Sequence, residues 1–218
     1  MNYAELNQAI QEYTETYEQV FVANIPTFVQ QAEKRIYNSV QIPALRRNVT
    51  GTLTTGNKYL SAPDDFLSVF SLAIVAPGGD YEYLLNKDVN FIRQAYPSPS
   101  DTGLPRHYAL FGSQLSYPRE LSFILGPTPN ANYTAELHYF YYPQSIVTAG
   151  QSWLGDNYSP ALLYGSLREA VIFQKGESDM AQYYEKMFQE AMAQLKRLGD
   201  GLERGDAYRD GQAKYKVG

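Results

Sequence analysis

YTAELHYFYY, residues 133–142, is the most regular β-strand pattern of the chain, and the rest of the sequence can be interpreted outward from it. Apolar or aromatic side chains occupy every second position from Tyr133 to Tyr141, and most of the positions between them are polar. This period of two predicts a strand with one packed face and one partly wet face. We expect its partner strands in the Tyr-rich sequence that precedes it.

Shorter strand patterns separated by turn residues precede this strand. Phe66–Ala76 is rich in Leu, Val, Ile and Phe and predicts a buried strand, which turns at Pro77–Asp80 into a hairpin partner at Tyr81–Leu85. Asn86 is expected to cap a short helix that extends to Gln94. The other patterns predict a strand pair and then a meander: Asn48–Thr55 and Lys58–Ala62, followed by Arg106–Phe111, Gln114–Tyr117 and Leu121–Leu125.

Two helical patterns open the chain. Apolar residues at steps of three and four predict a first helix from Asn2 to Tyr17. A second helix is expected to begin after Asn24, with Pro26 in its first turn, where a missing N–H does no harm. It should end before Pro43, because proline disfavours helical backbone in the residue that precedes it.

Two further helices are predicted after Trp153. Ser159 is expected to cap the first, with Pro160 at its first helical position and Gly176 at its end. Ser178 is expected to cap the last helix, whose apolar residues form a heptad-like seam that must pack on another helix. The seam consists of Met180, Tyr184, Met187, Ala191, Leu195, Leu198 and Leu202.

These patterns predict an α+β fold. Residues 1–45 and 153–203 are expected to form a helical bundle, because the helical patterns stand at both ends of the chain. Residues 46–152 are expected to form an inserted antiparallel β domain, sandwich-like or barrel-like. Residues 204–218 carry mixed charges and few apolar side chains, so we expect an extended C-terminal arm that orders against a partner.

The composition favours a protein that makes contacts over an enzyme. The chain has 218 residues, 44% of them hydrophobic, which is enough for a core. It contains no Cys, so disulfides, thiolate catalysis and Cys-ligated metals are excluded. The net charge of −5 argues against tight binding to a phosphate backbone. Its 20 Tyr against one Trp suit half-buried sheets and protein interfaces.

Few residues form the pattern of a chemical site. His107 and His138 lie on different predicted strands with no carboxylate at a metal-site spacing, so we interpret both as surface or sheet histidines. Arg46 and Arg47 are either phosphate contacts or a solvated pair at a domain boundary, and the net acidity favours the second interpretation. The sequence therefore predicts no catalytic, cofactor-binding or metal-binding residue and no cofactor.

No part of the sequence indicates a membrane or an export signal. The longest apolar stretch, Phe66–Ala76, is much shorter than the roughly 20 residues that span a bilayer. Residues 1–5 have neither a basic segment nor an apolar signal core. We expect a protein that is synthesised in the cytoplasm and does not contact a membrane.

Segments distributed along the chain form a recognisable series: Tyr3–Leu6, Asn24–Ile36, Tyr59–Leu67, Gly103–Ala109, Leu137–Pro143, Trp153–Leu154 and Ser159–Gly165. In this order they resemble the head-to-tail adaptor proteins of tailed bacteriophages, of the tail tubular protein A type known from podophages. The resemblance covers essentially the full chain. It depends on the order of the segments and not on any single motif.

The resemblance implies a structural protein of the virion neck, made in the host cytoplasm. Such a head-tail connector forms a dodecameric ring that docks under the portal protein, seals the filled head and carries the tail tube or nozzle protein. Double-stranded DNA then leaves through the bore during genome ejection without specific binding. The family also combines a helical bundle with an inserted β domain, in agreement with the architecture predicted from periodicity.

The same resemblance makes the C-terminal arm a candidate for lying along the portal. The candidate portal contacts are Arg204, Tyr208, Arg209, Lys214, Tyr215 and Lys216. A competing interpretation is a monomeric carbohydrate- or peptide-binding module, in which the Tyr-rich β domain offers an exposed aromatic platform. Association with further copies and with a portal ring distinguishes the two.

Overall fold

The structure is a computed structural model that describes residues 1–112 and 121–204, and these residues form the predicted α+β fold. The chain divides into two compact units. The helical unit contains Met1–Leu45 and the described residues from Pro143 onward, and the β unit is Arg46–Tyr142. The chain thus rejoins the helical unit before the predicted boundary at Trp153, because Ile146 is already fully buried in the helical core.

The described residues contain helices and strands in the following order. The helices are α1 (Tyr3–Thr14), α2 (Gln19–Ser39), α3 (Val89–Ala95), α4 (Ile146–Ala149), α5 (Trp153–Asn157), α6 (Ser159–Phe173) and α7 (Ser178–Arg204). A short 3₁₀ helix, Pro43–Leu45, precedes the first strand. The strands are β1 (Arg46–Leu53), β2 (Tyr59–Ser61), β3 (Phe66–Val75), β4 (Tyr81–Tyr83), β5 (Leu85–Asn86), β6 (Thr102–Gly103), β7 (His107–Phe111), β8 (Ser122–Gly126), β9 (Thr128–Pro129) and β10 (Tyr133–Tyr141).

Helix α1 begins with a capping box and ends earlier than predicted. The side chain of Asn2 accepts a hydrogen bond from the Glu5 N–H at 2.9 Å, and the Glu5 carboxylate accepts one from the Asn2 N–H at 2.9 Å. The helix ends at Thr14 and not at Tyr17, because Glu15 adopts a left-handed backbone with φ of 47°. Tyr17 therefore lies in the turn that follows.

Helix α2 begins earlier than predicted. It starts at Gln19, so Pro26 lies inside the helix and not in its first turn. Phe21 and Ile25 are buried in the helical core, and their burial explains why the helix extends through a residue that removes one backbone hydrogen bond.

The last two long helices also differ in detail from the prediction. Ser159 is the first residue of α6 and not its cap, a position that Tyr158 takes without a side-chain hydrogen bond. The predicted seam of α7 is partly wrong, because Met180, Leu198 and Leu202 are exposed. The apolar residues that α7 does bury are Tyr184, Phe188, Ala191, Met192 and Leu195.

The β unit is a sandwich of two four-stranded sheets with an added two-stranded pair. The first sheet has the order β1-β10-β3-β4 and the second β2-β8-β7-β5, and β6 pairs with β9. The central strand β10 shows the predicted alternation of buried and more exposed residues. Leu72 and Leu137 of the first sheet belong to one core with Tyr108 and Phe123 of the second.

Three strand predictions had different outcomes. The hairpin of β3 and β4 is confirmed. The predicted pairing of the first two strands is wrong, because β1 pairs with β10 over its whole length of 8 residues, whereas β2 has only 3 residues and pairs with β8. The predicted meander is wrong, because its first and third strands, β7 and β8, pair directly with each other. Its predicted middle strand, Gln114–Tyr117, lies outside the described residues.

The short helix of the β unit begins later than predicted. Asn86 belongs to β5, and Asp88 caps α3 by accepting a hydrogen bond from the Asn90 N–H at 2.7 Å. Helix α3 packs Ile92 against Ala109 and Ile124 of the second sheet. This packing leaves the rest of the helix surface free to carry charged and aromatic side chains.

Candidate interaction surfaces

One end of the helical unit is formed by two turns that lie side by side, the α1–α2 turn and the α6–α7 turn. The Gln174 amide donates a hydrogen bond to the Thr16 hydroxyl at 2.5 Å, which ties the turns together. The Phe173 ring lies 6.3 Å from the Phe21 ring and 5.2 Å from the Phe28 ring, centroid to centroid. The two turns and the side chains around them form what we call the bundle-end surface.

The bundle-end surface exposes an unusual amount of aromatic and aliphatic area. Tyr17 is 69% exposed and Val20 is 67% exposed, although both are large apolar side chains. Solvent-exposed patches of this kind on soluble proteins mark interaction sites. The exposed apolar residues of the surface are Tyr13, Tyr17, Val20, Ile172, Phe173, Met180 and Tyr183.

Acidic residues surround this apolar area. They are Glu12, Glu15, Glu18, Glu177 and Asp179, all of them exposed. Among the residues that the structure describes, none of the five forms an ion pair. The excess of acidic over basic side chains on α1 and its turn follows from the sequence, because residues 1–33 contain no Lys or Arg. Lys175 in the α6–α7 turn is the basic residue nearest in sequence to Glu177 and Asp179. One cation does not offset five carboxylates, so the surface is negative.

A network of four charged side chains joins α2, α6 and α7. Arg35 places its two terminal nitrogens 3.3 Å from a carboxylate oxygen of Glu169 and 3.3 Å from one of Glu185. Arg168 also contacts both carboxylates, and it lies 2.6 Å from Glu169. Burial opposes ionisation of Glu185, but the hydrogen bond from Gln189 and the charges of the two arginines outweigh it and lower the Glu185 pKa. The network holds three helices in register.

The β unit presents three exposed cations around α3, next to the exposed Asp88 that caps this helix, and we call this surface the α3 face. Each of its three cations lies close to an aromatic ring. The Lys58 ammonium is 5.6 Å from the centre of the Tyr59 ring and the Lys87 ammonium is 5.3 Å from that of Phe91. The Arg93 guanidinium is 5.9 Å from the centre of the Phe111 ring. These distances are within the range of cation–π attraction.

The α3 face is exposed and includes an open cavity. Lys58, Lys87 and Arg93 are exposed, and none of them forms an ion pair within residues 1–112 and 121–204. Phe91 and Phe111 are 41% and 43% exposed. The cavity has a volume of about 380 Å³, and Lys58 and Arg93 line it together with Tyr59, Tyr96 and Ile92.

The outer face of the first sheet carries a hydrogen-bonded polar row. The Glu136 carboxylate accepts a hydrogen bond from the Asn48 amide at 2.6 Å and lies 3.0 Å from the His138 ring nitrogen. Hydrogen bonds from His138, Asn48 and Tyr81 lower the pKa of Glu136. The exposed rings of Tyr81 and Tyr83 stack beside the row at 6.5 Å. His138 is therefore a side chain of the sheet surface that pairs with a carboxylate.

The two adjacent arginines interact within the β unit. Arg47 lies 2.7 Å from the Asp65 carboxylate, and its guanidinium stacks 3.9 Å from the centre of the Tyr141 ring. The Arg46 guanidinium lies 3.9 Å from the centre of the Phe70 ring. These contacts fit a structural pair at the start of the β unit better than an isolated phosphate site.

The other residues singled out by the sequence are placed as follows. The other histidine, His107, lies on β7, and one of its ring nitrogens is 2.9 Å from the Tyr96 hydroxyl. Arg204 ends α7, and the remaining candidate portal contacts, Tyr208 to Lys216, lie outside the described residues. In the part of the chain that the structure describes, no three potential ligands cluster for a metal ion. The same part contains no helix that could cross a membrane.

Sequence reasoning did not identify the bundle-end surface or the α3 face. The acidic side of the first was visible in the missing Lys and Arg of residues 1–33. Its aromatic part was hidden, because Tyr13 and Tyr17 fit the spacing of a buried helix face. The α3 face combines Lys58, just before β2, with Lys87 and Arg93 at α3, a proximity that no short motif indicates.

Comparison with known protein families identifies a relationship that covers nearly the whole chain. Residues 1–213 match the model of a family described as SU10 adaptor protein. The match spans both the helical unit and the β unit. No curated protein matches the chain.

Proposed function

The chain belongs to the SU10 adaptor protein family, a family of bacteriophage head-to-tail adaptors, and we propose that it forms the dodecameric ring between portal and tail. It is a structural component of the virion. In this proposal the ring seals the filled head, carries the tail tube or nozzle protein and lets DNA leave through its bore. The family match over nearly the whole chain is the observation that carries the proposal.

The exposed surfaces support a role in assembly. A ring of identical subunits needs two different complementary surfaces on each copy, because its contacts are heterologous. The described residues offer an acidic aromatic surface on the helical unit and a basic aromatic surface on the β unit. Tyr and Phe are enriched in the cores of protein interfaces, where they contribute large contact areas.

The charge of the chain fits a protein through which DNA passes better than a protein that binds DNA tightly. Tight binding to duplex DNA usually needs many phosphate contacts by Lys and Arg. The α3 face has three cations, and the whole chain has 18 basic against 23 acidic residues. Such a chain can line a bore without gripping the double-stranded DNA that passes.

We assign the portal contact to the C-terminal arm, residues 204–218. The last buried residue of α7 is Gly199, which packs against Gln41 and Ile42, so the helical core does not need the sequence from Arg204 onward. The arm carries Tyr208 and Tyr215 together with Arg204, Arg209, Lys214 and Lys216, a mixture suited to an acidic or aromatic groove on the portal.

Sedimentation of the protein alone and mixed with the portal ring of the same phage tests this function. We expect a complex in which a ring of adaptor copies sediments with the portal. The adaptor copies alone can stay dissociated, because an arm that orders on binding contributes only when its partner is present. A strict monomer that does not bind the portal but binds glycans would overturn the proposal in favour of a carbohydrate-binding module.

A further inference from the structure

We propose that the bundle-end surface of one copy docks on the α3 face of the next copy, and that this contact joins neighbours in the ring. The proposal rests on the ring proposed above and names the surfaces that build it. Each of the two surfaces binds a second copy of this chain.

The first support is charge complementarity. The bundle-end surface has five exposed acidic residues without ion pairs among the described residues, Glu12, Glu15, Glu18, Glu177 and Asp179. The α3 face has three exposed cations that are likewise without ion pairs there, Lys58, Lys87 and Arg93. Opposite potentials steer two surfaces together and fix their register.

The second support is that both surfaces have apolar centres. Tyr13, Tyr17 and Phe173 are exposed at the bundle end, and Phe91 and Phe111 are exposed at the α3 face. Desolvation of such side chains supplies most of the affinity in an interface, and a charged rim around them supplies specificity. The cavity of about 380 Å³ beside Arg93 is large enough to accept a tyrosine side chain.

The charges also determine the symmetry of the contact. Two bundle-end surfaces repel each other because both are acidic, and two α3 faces repel each other because both are basic. A two-fold contact of either surface with itself is therefore disfavoured. The remaining combination joins two different surfaces, which is the heterologous arrangement that closes into a ring when the rotation between copies allows it.

Charge reversal tests the contact. One variant carries Glu12→Lys, Glu15→Lys and Glu18→Lys, which leaves two of the five acidic residues, Glu177 and Asp179, and makes the bundle end basic. The other variant carries Lys87→Glu and Arg93→Glu. Each alone brings like charges together, so we expect its self-association to be at least about tenfold weaker than that of the unmodified chain. In a mixture the two variants can alternate around the ring. Each acidic α3 face then meets a basic bundle end, and each natural bundle end meets a natural α3 face, so every contact joins opposite charges. The mixture should therefore associate like the unmodified chain.

The matched controls reverse exposed charges elsewhere, Lys186→Glu with Lys196→Glu on α7 and Asp80→Lys with Glu190→Lys. Both controls should associate like the unmodified chain. Association is measured by sedimentation with and without the portal ring, so that a contact formed only on the portal is also detected. Circular dichroism of each variant confirms that it is folded before association is compared.

Cysteine cross-linking gives an independent readout. Because the natural chain contains no Cys, the variants Glu15→Cys and Arg93→Cys each have one thiol. Mixed and oxidised under assembly conditions, they should give a disulfide-linked pair, whereas Lys196→Cys mixed with Arg93→Cys should not.

The outcomes separate this proposal from the function on which it rests. If the unmodified chain forms a ring but the reversed variants assemble as well as it does, or the mixture fails to restore assembly, the contact is wrong and the ring stands. If the unmodified chain neither self-associates nor binds the portal, both proposals fail. If the α3-face variant loses binding to duplex DNA and keeps its self-association, the surface serves DNA and the contact is also wrong.

Discussion

The carboxylate of Glu33 on α2 accepts a hydrogen bond from the backbone N–H of Ile146 at 2.8 Å, inside the helical unit. Glu33 is only 3% exposed and Ile146 is fully buried. The Ser145 side chain also donates a hydrogen bond to Glu33. A buried carboxylate therefore fixes the start of α4, the first helix that the chain forms after the β unit.

Removing this acceptor should destabilise the helical unit. Glu33→Ala leaves the buried N–H of Ile146 without a partner, whereas Glu33→Gln keeps a side-chain oxygen at the same position. We expect the free energy of unfolding of the Ala variant to be about 2 kcal/mol below that of the Gln variant at pH 7, the typical cost of an unsatisfied buried donor. Urea unfolding of the two variants measures the difference, and equal stabilities would show that this hydrogen bond contributes nothing.

The same residue gives the stability of the protein a pH dependence of known sign. Burial raises the pKa of Glu33 above 4.5, although the hydrogen bonds from Ile146 and Ser145 oppose the shift. Because the folded state holds this proton more tightly, the contribution of Glu33 to stability is complete below about pH 4.5. It is lost as the pH rises through the folded-state pKa.

Glu33→Gln removes this titration, so its stability relative to the natural chain should rise between about pH 4 and pH 7. Urea unfolding across this range is the measurement. Glu190→Gln, a change at an exposed position on α7, serves as the control and should follow the natural chain. Parallel profiles for all three proteins would contradict the prediction.

Gly165 on α6 lies where α2 and α7 both pack closely against this helix. A Cβ atom at this position would lie 3.0 Å from the Cβ of Ala32 on α2 and 3.0 Å from the Phe188 ring on α7. Gly165→Val forces extra atoms into this contact, and we expect it to cost about 1–3 kcal/mol of stability. Gly201→Val, where an added Cβ meets nothing within 4 Å, should change stability by less than about 0.5 kcal/mol. Thermal unfolding of both variants checks the prediction, which a similar loss in the two would refute.

Truncation after Leu202 should separate folding from portal attachment. Leu202 is 54% exposed and the buried apolar residues of α7 end at Leu195, so we expect an unchanged unfolding temperature. Binding to the portal ring should be lost, because the proposed contact residues from Arg204 onward are absent. A longer truncation after Glu190 also removes the buried Met192 and Leu195, so it should lower the unfolding temperature. This truncation is the control that the assay detects damage to the core. Full portal binding by the shorter truncation would remove the arm from the proposed function.

Periodicity predicted the element types well because they depend on which side chains are buried. The alternation of residues 133–142 identified the central strand, and the hairpin at Pro77–Asp80 followed from its turn residues. The residues at which helices begin and end were harder to predict from the sequence. Pro26 indicated a helix start by its local preference, but the burial of Phe21 and Ile25 outweighs that preference and extends the helix.

Strand pairing and surface sites depend on long-range proximity, which local patterns do not contain. Arg46–Leu53 precedes β2 in the sequence, yet it pairs with β10 because that pairing forms the longer ladder. The bundle-end surface needs residues 12–20 beside residues 172–183, and the α3 face needs Lys58 beside Arg93. Spacing along the chain cannot indicate either combination.

The pairing of β1 with β10 places the two ends of the β unit next to each other. Arg46, where the chain enters, is the register partner of Phe140, and the Tyr142 N–H donates a hydrogen bond to the Asp65 carbonyl just before the chain leaves. Adjacent strands are separated by roughly 5 Å, so a β unit of another size or shape can be inserted between Leu45 and Pro143 without rerouting the helices. The fold is therefore suited to modular exchange, in which recombination within one gene replaces the β unit and leaves the helical framework unchanged.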